Sequence, residues 1–407
     1  MVEETPWQPY PTRAATVASF ASHVNRGKAE TFERYGLDLV MGARAGARFV
    51  DAFSGRSFLN CHCNGGVFNL GHRNEVVIRA ARRALARVDI GNHHLVSGHR
   101  ALLAERLAAT TKGQLSGAVF GVSGGEAVDL ALKVARAHTG RSQVLSASGG
   151  YHGHTGLALA TGDAQYRAPF GPNLAGFDQL PFGTLEAMEQ AIDGRTAAVI
   201  LEPIPATLGM PLPPEGYLEG VAALCRARGA LLILDEVQTG LGRTGRIWAY
   251  QHENVEPDMI VIGKGLSGGI YPITATLMRA EIHRFFDEHP FVHISTFGGA
   301  EIGCAAAGAV LDVILDPAFL PRVAELAERF AAGLAGAPFK LRQRGLFMGL
   351  QFDSEGAGMV ATKMLYERGI FALYANNDRS VLQLLPPLTA SDDDVEEIIC
   401  TLREVFG

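Results

Sequence analysis

The chain has 407 residues, enough for two domains, and 47% of them are apolar, which supplies material for a packed core. Lysines and arginines number 36 against 42 aspartates and glutamates; a net charge of −6 with no block of like charge excludes nucleic acid and membrane surfaces as expected partners and points to small molecules. No apolar run approaches the ~18 residues of a membrane span, and five scattered cysteines argue for reduced thiols rather than a disulfide framework.

In chain order, Met1 to Tyr10 carries Glu3 and Glu4 ahead of Pro6 and Trp7, without the basic and apolar regions of a signal peptide, so a cytoplasmic protein is expected. Cys61, His62 and Cys63 lack the spacing of a zinc pair and no second cysteine pair answers them, so no metal is expected. The strand-like Ala118–Val122 runs into Ser123-Gly124-Gly125-Glu126, which opens an amphipathic helix over Glu126–Ala137 with Ala127, Leu130, Ala131 and Val134 on one face. Ser123 can cap this helix while Glu126 returns the bond, and the two glycines let bare backbone N–H groups approach an anion at the positive helix end. Either a phosphate cradle or a well-capped helix satisfies that pattern.

Ala197–Leu201, Ala230–Leu234 and Met259–Ile262 are short continuous apolar runs between helical stretches, the mark of a buried parallel sheet in an α/β fold. The second ends in Asp235-Glu236, and an acid at the carboxyl end of a buried strand points into the crevice where α/β proteins bind ligands. An ATPase would also need G-x-x-x-x-G-K-[ST], which is absent. A dinucleotide site is spelled by Gly240-Leu241-Gly242-Arg243-Thr244-Gly245, but five residues separate these glycines from the strand and no amphipathic helix follows, so a loop is expected. In the third reading Asp235 keeps a pyridine nitrogen protonated, which asks for a lysine on a neighbouring strand end. Lys264, one of only six lysines, directly follows Met259–Gly263, and burial there would favour the neutral amine that imine chemistry requires. Past Glu301 the pattern turns to long helices over Cys304–Leu315 and Pro321–Leu334, then a strand over Leu346–Phe352 and a final helix from Ser391, a smaller α+β unit.

Together, Ser123-Gly124-Gly125-Glu126-Ala127, Tyr151-His152-Gly153, Glu202-Pro203, Asp235-Glu236-Val237-Gln238-Thr239-Gly240, Gly263-Lys264-Gly265 and Ser295-Thr296-Phe297-Gly298-Gly299 resemble, in order, the motifs of class III aminotransferases of fold type I. The resemblance implies a large domain over residues 60–300 with a mainly parallel sheet, and a small α+β domain built from 1–59 and 301–407. It implies pyridoxal 5'-phosphate as cofactor, with Lys264 bonding it as a Schiff base and Asp235 on the ring nitrogen. Gly124 and Gly125 would hold the phosphate with Thr296 of a partner subunit; Tyr151 and Val237 would flank the ring, Gln238 would lie near its phenolic oxygen, and Ser123, His152 and Glu202 would complete the site. A homodimer with shared sites follows, with pairing into tetramers open. The expected reaction moves an amino group from an amine or ω-amino donor to a keto acid or aldehyde through pyridoxamine phosphate. An aminomutase, racemase or decarboxylase could use the same lysine and aspartate, and a cofactor-binding relative without turnover is a further alternative.

Several positions depart from the family pattern. Gly125 stands where a hydroxyl is usual, His154 where arginine is common, and Ala300-Glu301 replaces Asn-Pro. Relatives using glutamate and 2-oxoglutarate place an arginine three residues before the C-terminal Pro-Pro and a glutamate near the Glu-Pro strand; here those positions are Gln383 and Thr207. Losing both charges together avoids an unpaired buried ion. A substrate α-carboxylate would then go ungripped, or be met by another arginine, Arg379 being the nearest candidate in sequence.

Overall fold

The computed structural model describes residues 8–407, so the reading of the first seven residues lies outside the described part. Its centre is a seven-stranded sheet in the order Gly117–Gly121, Thr274–Met278, Met259–Ile262, Leu231–Asp235, Thr196–Leu201, Gln143–Ala147 and Phe177–Leu180. Six strands share one direction and Thr274–Met278 alone runs against both neighbours. The continuous apolar runs follow from burial on both faces. Ala198, Ile200, Ile233 and Val261 pack under the helix Gly124–Thr139, while the alternate residues Val199, Leu201, Leu232, Leu234 and Ile260 pack under the opposite layer, which includes Tyr217–Arg228.

Two smaller four-stranded sheets complete the molecule. Met41–Ala45, Arg48–Asp51 and Ser57–Asn60 form an antiparallel meander whose last strand pairs in parallel with Ile370–Phe371. Lys340–Arg344, Phe347–Gln351, Asp378–Leu384 and Leu373–Ala375 form the other, all antiparallel. Leu59 from the first shares a core with Val323, Met348, Leu365, Leu382 and Ile398, which ties the two ends of the chain together. The helix Glu301–Ile314 lies beyond residue 300, yet its buried Cys304, Ala307 and Leu311 belong to the core of the central sheet, so packing joins it to the large unit. The five cysteines are unpaired and all but Cys400 are buried. Among the described residues no single helix is long and apolar enough to cross a membrane.

Candidate active site

The parallel strands deliver their functional residues to one edge, the carboxyl edge, where open α/β sheets hold ligands. Asp235 ends one strand, Glu202 follows a second and Lys264 lies two residues past a third. With Gly124, Gly125 and Tyr151 they line a cleft of about 380 Å³, which Ser123, His152, Val237 and Gln238 also border. Asp235 is 4% exposed, and its two oxygens take His152 Nδ1 at 2.8 Å and the Val237 N–H at 3.1 Å. Burial pulls the His152 imidazole down, but the hydrogen bond and charge of Asp235, with the charge of Glu202, hold it above its ordinary value. His152 Nε2 is buried and has no partner among the described residues.

Lys264 donates from Nζ to Gln238 Oε1 at 2.8 Å. Burial lowers its pKa, with the charges of Asp235 and Glu202 opposing. Its backbone adopts φ +42°, a conformation that costs a non-glycine residue ~1–3 kcal/mol and concentrates at functional sites. A β-carbon on Gly65 would fall 3.4 Å from Nζ, and one on Gly263 would fall 3.3 Å from Val237, so glycines keep both the amine and the Val237 side chain uncovered. Glu202 accepts the Tyr151 N–H at 2.8 Å and the Ala206 N–H at 3.3 Å; burial, countered by His152 and reinforced by Asp235, pushes its carboxyl up to about 7.

Ser123 caps Gly124–Thr139, accepting the Glu126 N–H at 3.3 Å. The returning bond of Glu126 goes to the N–H of Val122 at 2.7 Å, not to Ser123, because the carboxylate reaches one residue further back along the chain. Gly240 to Gly245 form a turn rather than a helix start, as expected for a loop. Its Arg243, fully buried, donates to Asn69 Oδ1 at 2.7 and 3.2 Å, to Leu346 O at 3.1 Å and to Pro386 O at 2.6 Å.

The remaining sequence candidates sit apart from this centre. Gln383 is buried and gives its amide to Ala206 O at 3.3 Å, while the Thr207 hydroxyl goes to Gly149 O at 2.9 Å. Both therefore attach to the segment after Glu202, and neither lines the cleft. Arg379 is exposed on the strand Asp378–Leu384, outside the lining. Thr296 is exposed too, in a segment bearing exposed Phe291, Val292, Ile294 and Phe297. Sequence reasoning missed Thr155 and Gly65. Thr155 lines the cleft with its side chain against Gly125, a glycine whose departure from the family pattern is visible in the sequence, whereas only the fold brings Gly65 beside Lys264.

The family model for Aminotransferase class-III matches residues 34–406. A protein of Archaeoglobus fulgidus named as an uncharacterized aminotransferase is 49% identical over 392 residues, 95% of this chain and 92% of its own. Among solved structures, the ornithine aminotransferase of Toxoplasma gondii ME49 is similar with a TM-score of 0.87 at 28% identity, over 98% of this chain and 96% of that one. A thermostable (S)-enantioselective ω-transaminase from Thermomicrobium roseum is similar with a TM-score of 0.86 at 28% identity, over 96% and 97%. The half-buried lysine, the strand-end aspartate and the glycine-lined helix start thus sit in a chain that belongs to the class III aminotransferase family, whose members are transaminases using pyridoxal phosphate.

Proposed function

We propose that Lys264 bonds pyridoxal phosphate in this cleft, that Asp235 holds the ring nitrogen protonated, and that the amino donor is an amine or ω-amino compound whose α-carboxylate, if it has one, is not gripped. The residues present fit the cofactor. An amine and a carboxylate on adjacent strand ends face one cleft, Gly124 and Gly125 bare a helix start suited to an anion, and Tyr151 and Val237 offer surfaces for the two faces of a flat ring. When bound, pyridoxal phosphate supplies an electron sink that lets a hydrogen on the amine-bearing carbon leave as a proton. Burial favours the neutral, nucleophilic form of Lys264, and the same Nζ then takes that proton and returns it at a different carbon. His152 Nδ1 fixes the Asp235 carboxylate, and Gln238 holds Nζ on the cleft side.

The observation that carries the substrate reading is charge. Lys264 is the only lysine or arginine among the residues lining the cleft, against Glu202 and Asp235, and the amide and hydroxyl of Gln383 and Thr207 are engaged on backbone carbonyls. Among the described residues lining the cleft, no lysine or arginine other than Lys264 is left to hold a carboxylate, and His152 is engaged by Asp235. A donor and acceptor screen on the reconstituted protein should favour simple and ω-amines over glutamate, with a keto acid or aldehyde as acceptor; equal kcat/KM for glutamate would overturn the donor assignment. Lys264→Ala should abolish the visible absorbance of the imine and the borohydride adduct, and an adduct on another residue would refute the lysine assignment.

We extend the reading to a homodimer in which Thr296 reaches the partner's phosphate site. Support comes from its exposure and from the apolar side chains beside it, together with Leu95 and the wholly exposed Val96. At limiting pyridoxal phosphate, mixing inactive Lys264→Ala with the more weakly binding Thr296→Ala protein should raise activity above that of Thr296→Ala alone through hybrid dimers, and sedimentation as a monomer would contradict it.

A further inference from the structure

The phosphate end of the cleft contains a compensation that the glycine at position 125 makes visible. A β-carbon built on Gly125 would lie 2.6 Å from Thr155 Oγ1 and 3.2 Å from its Cγ2, far closer than atoms pack. The Thr155 side chain therefore occupies the space that a residue 125 side chain would fill. The neighbouring Gly153, at φ +116°, would bring its own β-carbon to 2.7 Å from Gly125 Cα, so the two backbones are in close contact there.

Among the described residues the Thr155 hydroxyl makes no hydrogen bond. It stands at the N-cap of the short helix Gly156–Ala160 yet makes no capping bond. The Ala158 N–H that an N-cap oxygen would normally take is satisfied instead by Asp129 Oδ1 at 2.7 Å, from the helix Gly124–Thr139. Thr155 is exposed and lines the cleft beside Ser123, Gly124 and Gly125. The Ser123 oxygen accepts the Glu126 N–H in capping its own helix, which leaves its hydrogen free to donate as well.

We propose that Thr155 supplies the hydroxyl hydrogen bond to the cofactor phosphate that Gly125 cannot make, so that the cradle in this chain draws its side-chain donor from the segment after Tyr151-His152-Gly153. This rests on the pyridoxal phosphate reading of the cleft. The phosphate is a charged acceptor, and one hydroxyl bond to it is worth about tenfold in affinity. Moving the donor from 125 to 155 keeps the bond, with the Thr155 side chain in the space that a residue 125 side chain would fill.

Fluorescence titration of the apoprotein with pyridoxal phosphate and with pyridoxal, which lacks the phosphate, tests it. Thr155→Val, which keeps the shape, should bind pyridoxal phosphate about tenfold more weakly and pyridoxal as well as wild type does. Thr155→Ser should keep wild-type affinity. The double variant Gly125→Ser/Thr155→Ala should recover affinity lost in Thr155→Ala, since the space is cleared and the hydroxyl then comes from position 125. Unchanged binding of pyridoxal phosphate by Thr155→Val overturns the assignment, as does equal weakening toward both compounds, which would mark a purely structural residue. Wild-type protein that binds neither compound would sink the cofactor reading itself, a separate outcome.

Discussion

Replacing Glu202 with glutamine should give a stability difference that depends on pH in a fixed direction. Glu202 is 7% exposed at the end of its strand, and both of its oxygens accept backbone N–H groups. Burial moves its carboxyl from the usual 4.5 up to about 7, with His152 pulling the other way and Asp235 adding to the rise. Below 4.5 the acid carries its proton in both the folded and unfolded states. Between 4.5 and about 7 the fold retains a proton that the unfolded chain has released, so the contribution of Glu202 to stability falls as pH rises. At ~1.4 kcal/mol per pH unit, the full loss is roughly 3 kcal/mol once pH exceeds 7. The glutamine amide does not titrate, and it can accept only one of the two N–H bonds, a pH-independent cost of about 1–3 kcal/mol. Denaturant unfolding of both apoproteins, from below pH 4.5 to above pH 7, should find wild type ahead by about 1–3 kcal/mol at the acid end and, after a loss of roughly 3 kcal/mol, level with or behind the variant at the other. A difference that stays flat, or that grows in favour of wild type as pH rises, refutes the argument.

Arg243→Lys keeps a charge in a fully buried pocket but loses the planar fork that reaches Asn69, Leu346 and Pro386. It should destabilise by about 3–5 kcal/mol, read as a lower denaturant midpoint, and an unchanged midpoint would contradict the clamp. Gln383→Arg alone buries an unpaired cation against Ala206 O and should lower the melting temperature; adding Thr207→Glu should restore part of the loss and lower the KM for 2-oxoglutarate. If the double variant is no better than the single one in either measurement, the two positions are not an electrostatic pair.

The central sheet was legible in the sequence because its strands are buried on both faces, which leaves unbroken apolar runs at Thr196–Leu201 and Met259–Ile262. Strand direction was not legible. Thr274–Met278, interrupted by two threonines, was not among the apolar runs read as strands, although it is as fully buried as its parallel neighbours. Lys264 and Asp235 stood out because each ends such a run, and strand ends define the crevice. The long-range contacts were hidden for the opposite reason. Asn69 with Arg243, Gln383 with Ala206, and Gly65 with Lys264 are far apart in sequence, and each is an ordinary residue until the fold brings its partner close. The change of pattern after Glu301 was real in sequence, but whether a helix covers the large sheet or the small ones depends on the partner of its apolar face, which composition does not name.

The buried clasp around Arg243 bears on how the protein is made. Asn69 lies near the start of the chain and Pro386 near its end, so the guanidinium has all its acceptors only when almost every residue has left the ribosome. The loop behind the Asp235 strand should therefore settle last, after both terminal segments have docked, and a nascent or C-terminally clipped chain should be unable to hold pyridoxal phosphate even with Lys264 already synthesised.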